Sequence, residues 1–184
     1  MGWSYEYTPF GVNDKKAKCD GLFSDGYTVV KSAMVGNVYY AAIKHTKEAR
    51  QPVTGTVILT SVDGAYFGYK GINEEMGPGV YDCPAGILKL LTPTENAYAR
   101  EWREKCRENL NRKNNRRAFE RKIKALEPGA RLQFVCPCGM SNGLKAGTII
   151  TLIVKAHNTE KVFYDGVYIW PVKYIPENSE IIAA

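Results

Sequence analysis

The pattern of apolar positions changes character twice along the chain. From Tyr27 it reads as strands: Tyr27 to Val35 and Val38 to His45 flank Gly36-Asn37, a two-residue turn that tolerates positive φ. Val53 to Val62 and Ala65 to Lys70 flank Asp63-Gly64, a second hairpin signal. The first half is therefore expected to form an antiparallel sheet of about four strands. The segment before it, Met1 to Gly26, reads as irregular but not disordered, with Trp3, Tyr5, Tyr7 and Phe10. Pro84 to Leu91 reads as a short apolar helix, capped through Asp82 and buried against the sheet.

The period then becomes helical. Tyr98, Trp102, Cys106 and Leu110, and later Phe119, Ile123 and Leu126, fall in steps of four and three. Thr92-Pro93-Thr94-Glu95 fits a capping box with proline at the first helical position, and Glu127-Pro128-Gly129 ends the helix. Between Leu110 and Ala118 there is no apolar anchor. An unbroken helix from Pro93 to Leu126 would run about 50 Å, longer than a compact domain of this mass is wide. A break or bend near residues 109–115 is expected, because asparagine competes for backbone hydrogen bonds.

Strands return after Pro128: Ala130 to Val135, Thr148 to Lys155, Lys161 to Tyr164 and Val167 to Tyr174, a meander or small barrel. His157-Asn158-Thr159-Glu160 and Asp165-Gly166 are tight connections. The expected class is α+β: antiparallel sheet, short helix, long basic helix, C-terminal β-meander. The segments are 1–92, 93–127 and 128–184, in one domain or two small ones. Whether the strands form one sheet or two is open at this level.

Charge changes the picture most. Thr92 to Leu126 carries 11 Lys+Arg against 5 Asp+Glu, so it holds the whole formal net charge of +6. Seven cations crowd its end: Arg112, Lys113, Arg116, Arg117, Arg121, Lys122 and Lys124, against Glu120 alone. On a helix they form adjacent i, i+4 rows whose mutual repulsion needs an offset. Phosphates supply it, with counterion release as the driving force. These residues are the candidate binding site for DNA, RNA or a nucleoprotein, against the alternatives of a solvated face, or of an acidic protein surface contacted by a structural interaction protein. The longest apolar run is Ile149 to Val154, far short of a membrane span, and no leader pattern stands at the N-terminus, so a cytoplasmic protein is expected.

Candidate catalysis is thin. Asn73-Glu74-Glu75 with Asp82 is the densest acidic cluster, and a metal-dependent enzyme acting on nucleic acid is the alternative it offers. Cys136-Pro137-Cys138 has poor zinc spacing, and His45 and His157 form no paired motif. Five cysteines in no disulfide framework read as reduced thiols. No catalytic residue, metal or cofactor is expected. Tyr39-Tyr40 and Tyr66/Tyr69 offer rings that stack bases, or that fill a core.

The opening MGWSYEY and the block GYKGINEEMGPGVYDCPAGILKLLTPTENAYAREWREKC resemble an uncharacterised protein family of phages, plasmids and integrated elements of gut Firmicutes. The resemblance covers Tyr66 to Cys106 well, through its Met-Gly-Pro, Cys-Pro and Ile-Leu-x-Leu-Leu spacing. More loosely, in size and basicity, the chain is similar to type II-A anti-CRISPR proteins, inhibitors of Cas9. The resemblance implies a non-enzymatic mobile-element protein with an anti-defence role in the bacterial host cytoplasm. Its partner would be a nucleoprotein effector such as a Cas9–guide RNA complex.

Overall fold

A computed structural model describes residues 2–9, 11–23, 25–46, 52–137, 139, 143–158 and 160–182. The fold is α+β, with two antiparallel sheets and one long helix. The chain divides into two compact units, Met1–Arg112 and Lys113–Ala184.

The first unit is built on strands β1 (Ser4–Tyr7), β2 (Tyr27–Val35), β3 (Val38–His45), β4 (Thr54–Asp63) and β5 (Tyr66–Asn73), in the order β1-β5-β4-β3-β2. Both hairpins form where expected. Gly36 and Gly64, at φ 60° and 56°, supply the left-handed backbone their turns need. The sheet is buried on both faces at its centre, which explains the unbroken apolar run of β3. Tyr39, Ala41 and Ile43 pack on one face with Ile58, Phe67 and Cys19 of helix α1 (Lys15–Gly21). Tyr40 and Ala42 pack on the other with Val57, with Ile87 and Leu88 of helix α2 (Ala85–Leu88), and with Trp102 and Cys106. Asp20 pins α1 to the sheet by accepting from Ser32 and Tyr39, and it also accepts from Lys16 of its own helix.

Two expectations need correction here. The segment before Gly26 contains an edge strand and a helix. Its Trp3-x-Tyr5-x-Tyr7 alternation is a strand signal, and Asp14 caps α1 by accepting from Ala17 N–H. Helix α2 has Pro84 at its N-cap and no side-chain cap. Asp82 turns elsewhere, since its carboxylate accepts from the Asn109 amide.

The second unit holds β6 (Arg131–Val135), β7 (Ile149–His157), β8 (Glu160–Tyr164), β9 (Ile169–Trp170) and β10 (Glu180–Ile182), in the order β10-β6-β7-β8-β9. Leu132, Phe134, Ile150, Leu152, Val154, Phe163 and Trp170 alternate onto one face and form its core with Ile123 and Ile175. The strand expected at Val167 to Tyr174 is only Ile169–Trp170. Pro171 cannot donate to the ladder and the chain turns into a short 3₁₀ segment, Val172–Tyr174. Asp165 organises the preceding turn by accepting from the N–H groups of Val167 and Tyr168 and from the Trp170 indole.

Helix α3 (Ala97–Lys124) runs unbroken for 28 residues, so the expected break near residues 109–115 does not occur. Residues 111–115 are exposed, and the stretch without apolar anchors falls where one unit gives way to the other. Polar anchors replace the apolar ones: Asn109 donates to the Tyr81 carbonyl, and Arg116 donates to the carbonyls of Val172 and Ile175. The start also differs. Asn96 is the cap, accepting from Ala99 N–H, while Thr92 pairs its backbone and hydroxyl with Val53.

Candidate nucleic-acid interface

The cations of α3 divide into those the protein uses and those it presents. In its first half Arg103 is buried, with its guanidinium forked on the Glu74 carboxylate at 2.6 and 2.7 Å and donating to the Thr92 carbonyl. Lys105 bonds Glu101 at 2.6 Å, which pushes its ammonium pKa up, and Arg100 lies 3.8 Å from Glu95. Arg112 donates to the Asn109 side chain. This half is largely compensated within its own unit.

The second half is not. Arg116 is half-buried and fully committed: it bonds Glu120 at 2.9 Å and the Ile175 and Val172 carbonyls at 2.6 Å each, and it lies over the Phe119 ring. Among the seven sequence-predicted cations, Arg116 is the one bonded to the Val172 and Ile175 carbonyls. Lys113, Arg117, Arg121, Lys122 and Lys124 are exposed. Among the described residues no acid lies within ion-pair distance of Arg117, Arg121, Lys122 or Lys124. Arg117, Arg121 and Lys124, with Asn114, line a shallow concavity whose one acid, Glu120, is already held by Arg116. Four residues of helix advance about 6 Å, so the row from Arg117 to Lys124 spans roughly two turns.

The acidic cluster is dispersed into structure. Glu74 is buried in its ion pair with Arg103, Glu75 is exposed, and Asp82 takes the Asn109 amide. Gly55 makes room for that pair, since a Cβ there would meet Glu74 Oε2 and Trp102 Cζ3 at 3.0 Å. Among the described residues no three His, Cys, Asp or Glu are grouped to hold a metal. Cys136 is buried in the second core, and Cys138 lies outside the described residues. Burial pushes the thiols of Cys19 and Cys106 up to about 12 and Cys83 higher still, which keeps them protonated and unreactive. Tyr39 and Tyr40 are core, and burial raises both phenols. His45 and His157 stand on different strands, the first edge-on to Tyr27. Missing from the sequence reading are the Glu74–Arg103 fork, which joins residues 29 apart, and the anchoring of Arg116. Neither has a local signal.

The geometry thus defines an α+β protein of two units with a cationic helix face. A family model described as a domain of unknown function (DUF6927) matches residues 93–166, which take in α3 and strands β6 to β8. Neither the curated proteins nor the solved structures contain a match. Among the described residues no helix is long and apolar enough to cross a membrane.

Proposed function

We propose that this is a non-enzymatic binding protein that grips the phosphate backbone of a nucleic acid, free or in a nucleoprotein, through Arg117, Arg121, Lys122 and Lys124, with Arg112 and Lys113. The observation that carries the reading is the exposed row of Arg117, Arg121, Lys122 and Lys124, which among the described residues has no acid within ion-pair distance. Like charges at i, i+4 oppose one another along a helix, and polyanion binding converts that cost into affinity by releasing counterions. Such contacts position a duplex or a strand without reading sequence. A positive face also excludes DNA mimicry as the mode of action. The resemblance to mobile-element proteins makes a host Cas9–guide RNA complex the first partner to try, with an anti-defence role.

The test compares the native chain with Arg117→Glu/Arg121→Glu/Lys124→Glu. Fluorescence anisotropy against a mixed-sequence duplex and a structured RNA is followed from low to physiological salt. The native chain is expected to bind with a steep salt slope, reduced by about 2 to 3 in the variant. Protection of a plasmid from Cas9 cleavage is measured in parallel. A folded variant that binds and protects as well as the native chain makes the row a solvated face.

A further inference from the structure

The uncovered part of the first sheet is aromatic. Trp3, Tyr5, Tyr7 and Tyr66 are 42, 65, 64 and 51% exposed, a cluster of rings that soluble proteins ordinarily bury. They share a face. Tyr5 stands opposite Gly68 and Tyr7 opposite Tyr66 in the β1–β5 register. Trp3 stacks on Tyr5 with ring centroids 6.4 Å apart and planes inclined by 25°, and Tyr7 meets Tyr66 edge-on at 5.4 Å. Gly68 makes the arrangement possible. A Cβ there would meet Tyr5 Cε1 at 2.8 Å, so only glycine lets that ring lie down across the sheet. The opposite face of this edge is closed by α1, where Lys18 bonds Glu6 and Phe67 joins the core.

We propose that this face is a stacking platform for the bases of single-stranded nucleic acid. The occupant's class rests on the polyanion reading above; the site and its chemistry are separate from the cationic helix. Every base offers a π-face, and rows of exposed rings on a sheet accept bases without regard to sequence. The polar complement is present. Lys70 follows Gly68 by two residues on the same face, and among the described residues it has no acidic partner to compete with a phosphate. Asp63, paired with Tyr66 in register, offers an acceptor for base amino groups.

Intrinsic fluorescence reads this site directly, because Trp102 and Trp170 are 1 and 6% exposed and Trp3 is the one tryptophan solvent reaches. The full chain is titrated with an oligothymidylate, with an abasic oligonucleotide, with inorganic polyphosphate and with a neutral soluble oligosaccharide. Oligothymidylate is expected to quench Trp3 at low salt, while the abasic strand and polyphosphate bind without quenching. Trp3→Leu and Tyr7→Leu, which keep strand propensity and remove the ring, should each weaken oligothymidylate binding, measured by anisotropy of a labelled strand, by on the order of tenfold. Tyr7→Phe should bind as the native chain does. Oligothymidylate bound without any change at Trp3, or leucine variants that bind normally, would overturn the platform and leave the helix reading standing. Quenching that survives charge reversal at Arg117, Arg121 and Lys124 supports the platform and counts against the helix. A Trp3 response to the oligosaccharide with none to oligothymidylate overturns the proposal in favour of a sugar.

Discussion

Among the described residues, Arg103 and Glu74 are the two charged side chains buried in the first unit, and each is there because of the other. A guanidinium out of water costs several kcal/mol unless its donors are filled. Here two donors reach the carboxylate and a third reaches the Thr92 carbonyl. The pair ties helix α3 to the end of β5, and Gly55 leaves the space it occupies. Truncating one partner should therefore hurt more than removing both. Arg103→Ala is expected to destabilise the protein by about 3–5 kcal/mol, since it strands the Glu74 charge. Glu74→Leu/Arg103→Met should recover much of that loss. Urea unfolding midpoints for the two variants check it. An Arg103→Ala protein with a native midpoint would overturn the role given to the pair.

At the scale of the element, α3 sorts its arginines by what lies next to them. Arg116 and Arg117 are neighbours in sequence with opposite duties. Arg116 holds two carbonyls of the second unit, and Arg117 faces solvent. Arg116→Ala leaves both carbonyls without that donor and should cost about 1–3 kcal/mol, whereas Arg117→Ala should stay within about 0.5 kcal/mol. Thermal unfolding of the two single variants separates them, and equal losses would remove the distinction. Much of the fold was legible because it is local. Hairpin turns at Gly36-Asn37 and Asp63-Gly64, and the helical steps from Trp102 to Leu110, are short-range signals, although the first apolar position of that series, Tyr98, is exposed. What escaped depends on distant partners. Thr92-Pro93-Thr94-Glu95 has a capping-box pattern, yet Thr92 is drawn into pairing with Val53, and the cap passes to Asn96. The asparagine-rich stretch suggested a break, but Asn109 and Arg116 supply anchors from residues 27 to 59 positions away, which no window of sequence displays. The cations of the candidate site were legible as a charge run. Which of them is spent on the fold was not.

For the molecule as a whole, charge is unevenly distributed. Residues 113–184 carry 11 Lys+Arg against 6 Asp+Glu, and residues 1–112 carry 14 against 13. The excess therefore belongs to the unit that presents the cation row, where self-repulsion works against folding and grows as carboxylates protonate. Each unit also depends on one carboxylate with three or more donors. At Asp20 burial pushes the pKa up, but hydrogen bonds from Lys16, Tyr39 and Ser32 outweigh it and hold it below the ordinary range. At Asp165 burial acts the same way and is outweighed by the Tyr168 N–H, the Trp170 indole and the Val167 N–H. A carboxyl whose folded pKa is depressed contributes stability that is present above its unfolded value, about 3.9, and lost as pH falls through the folded value. Stability is thus expected to hold from neutral pH to about 5 and to fall below about 4. Asp20→Asn and Asp165→Asn should each lower stability at pH 7 and flatten its decline in acid, because the amide has no charge to lose. Unfolding free energies from urea titrations between pH 7 and pH 3 measure both effects. An acid decline as steep in the two variants as in the native chain would move its origin from these turn carboxylates to the general repulsion among the cations.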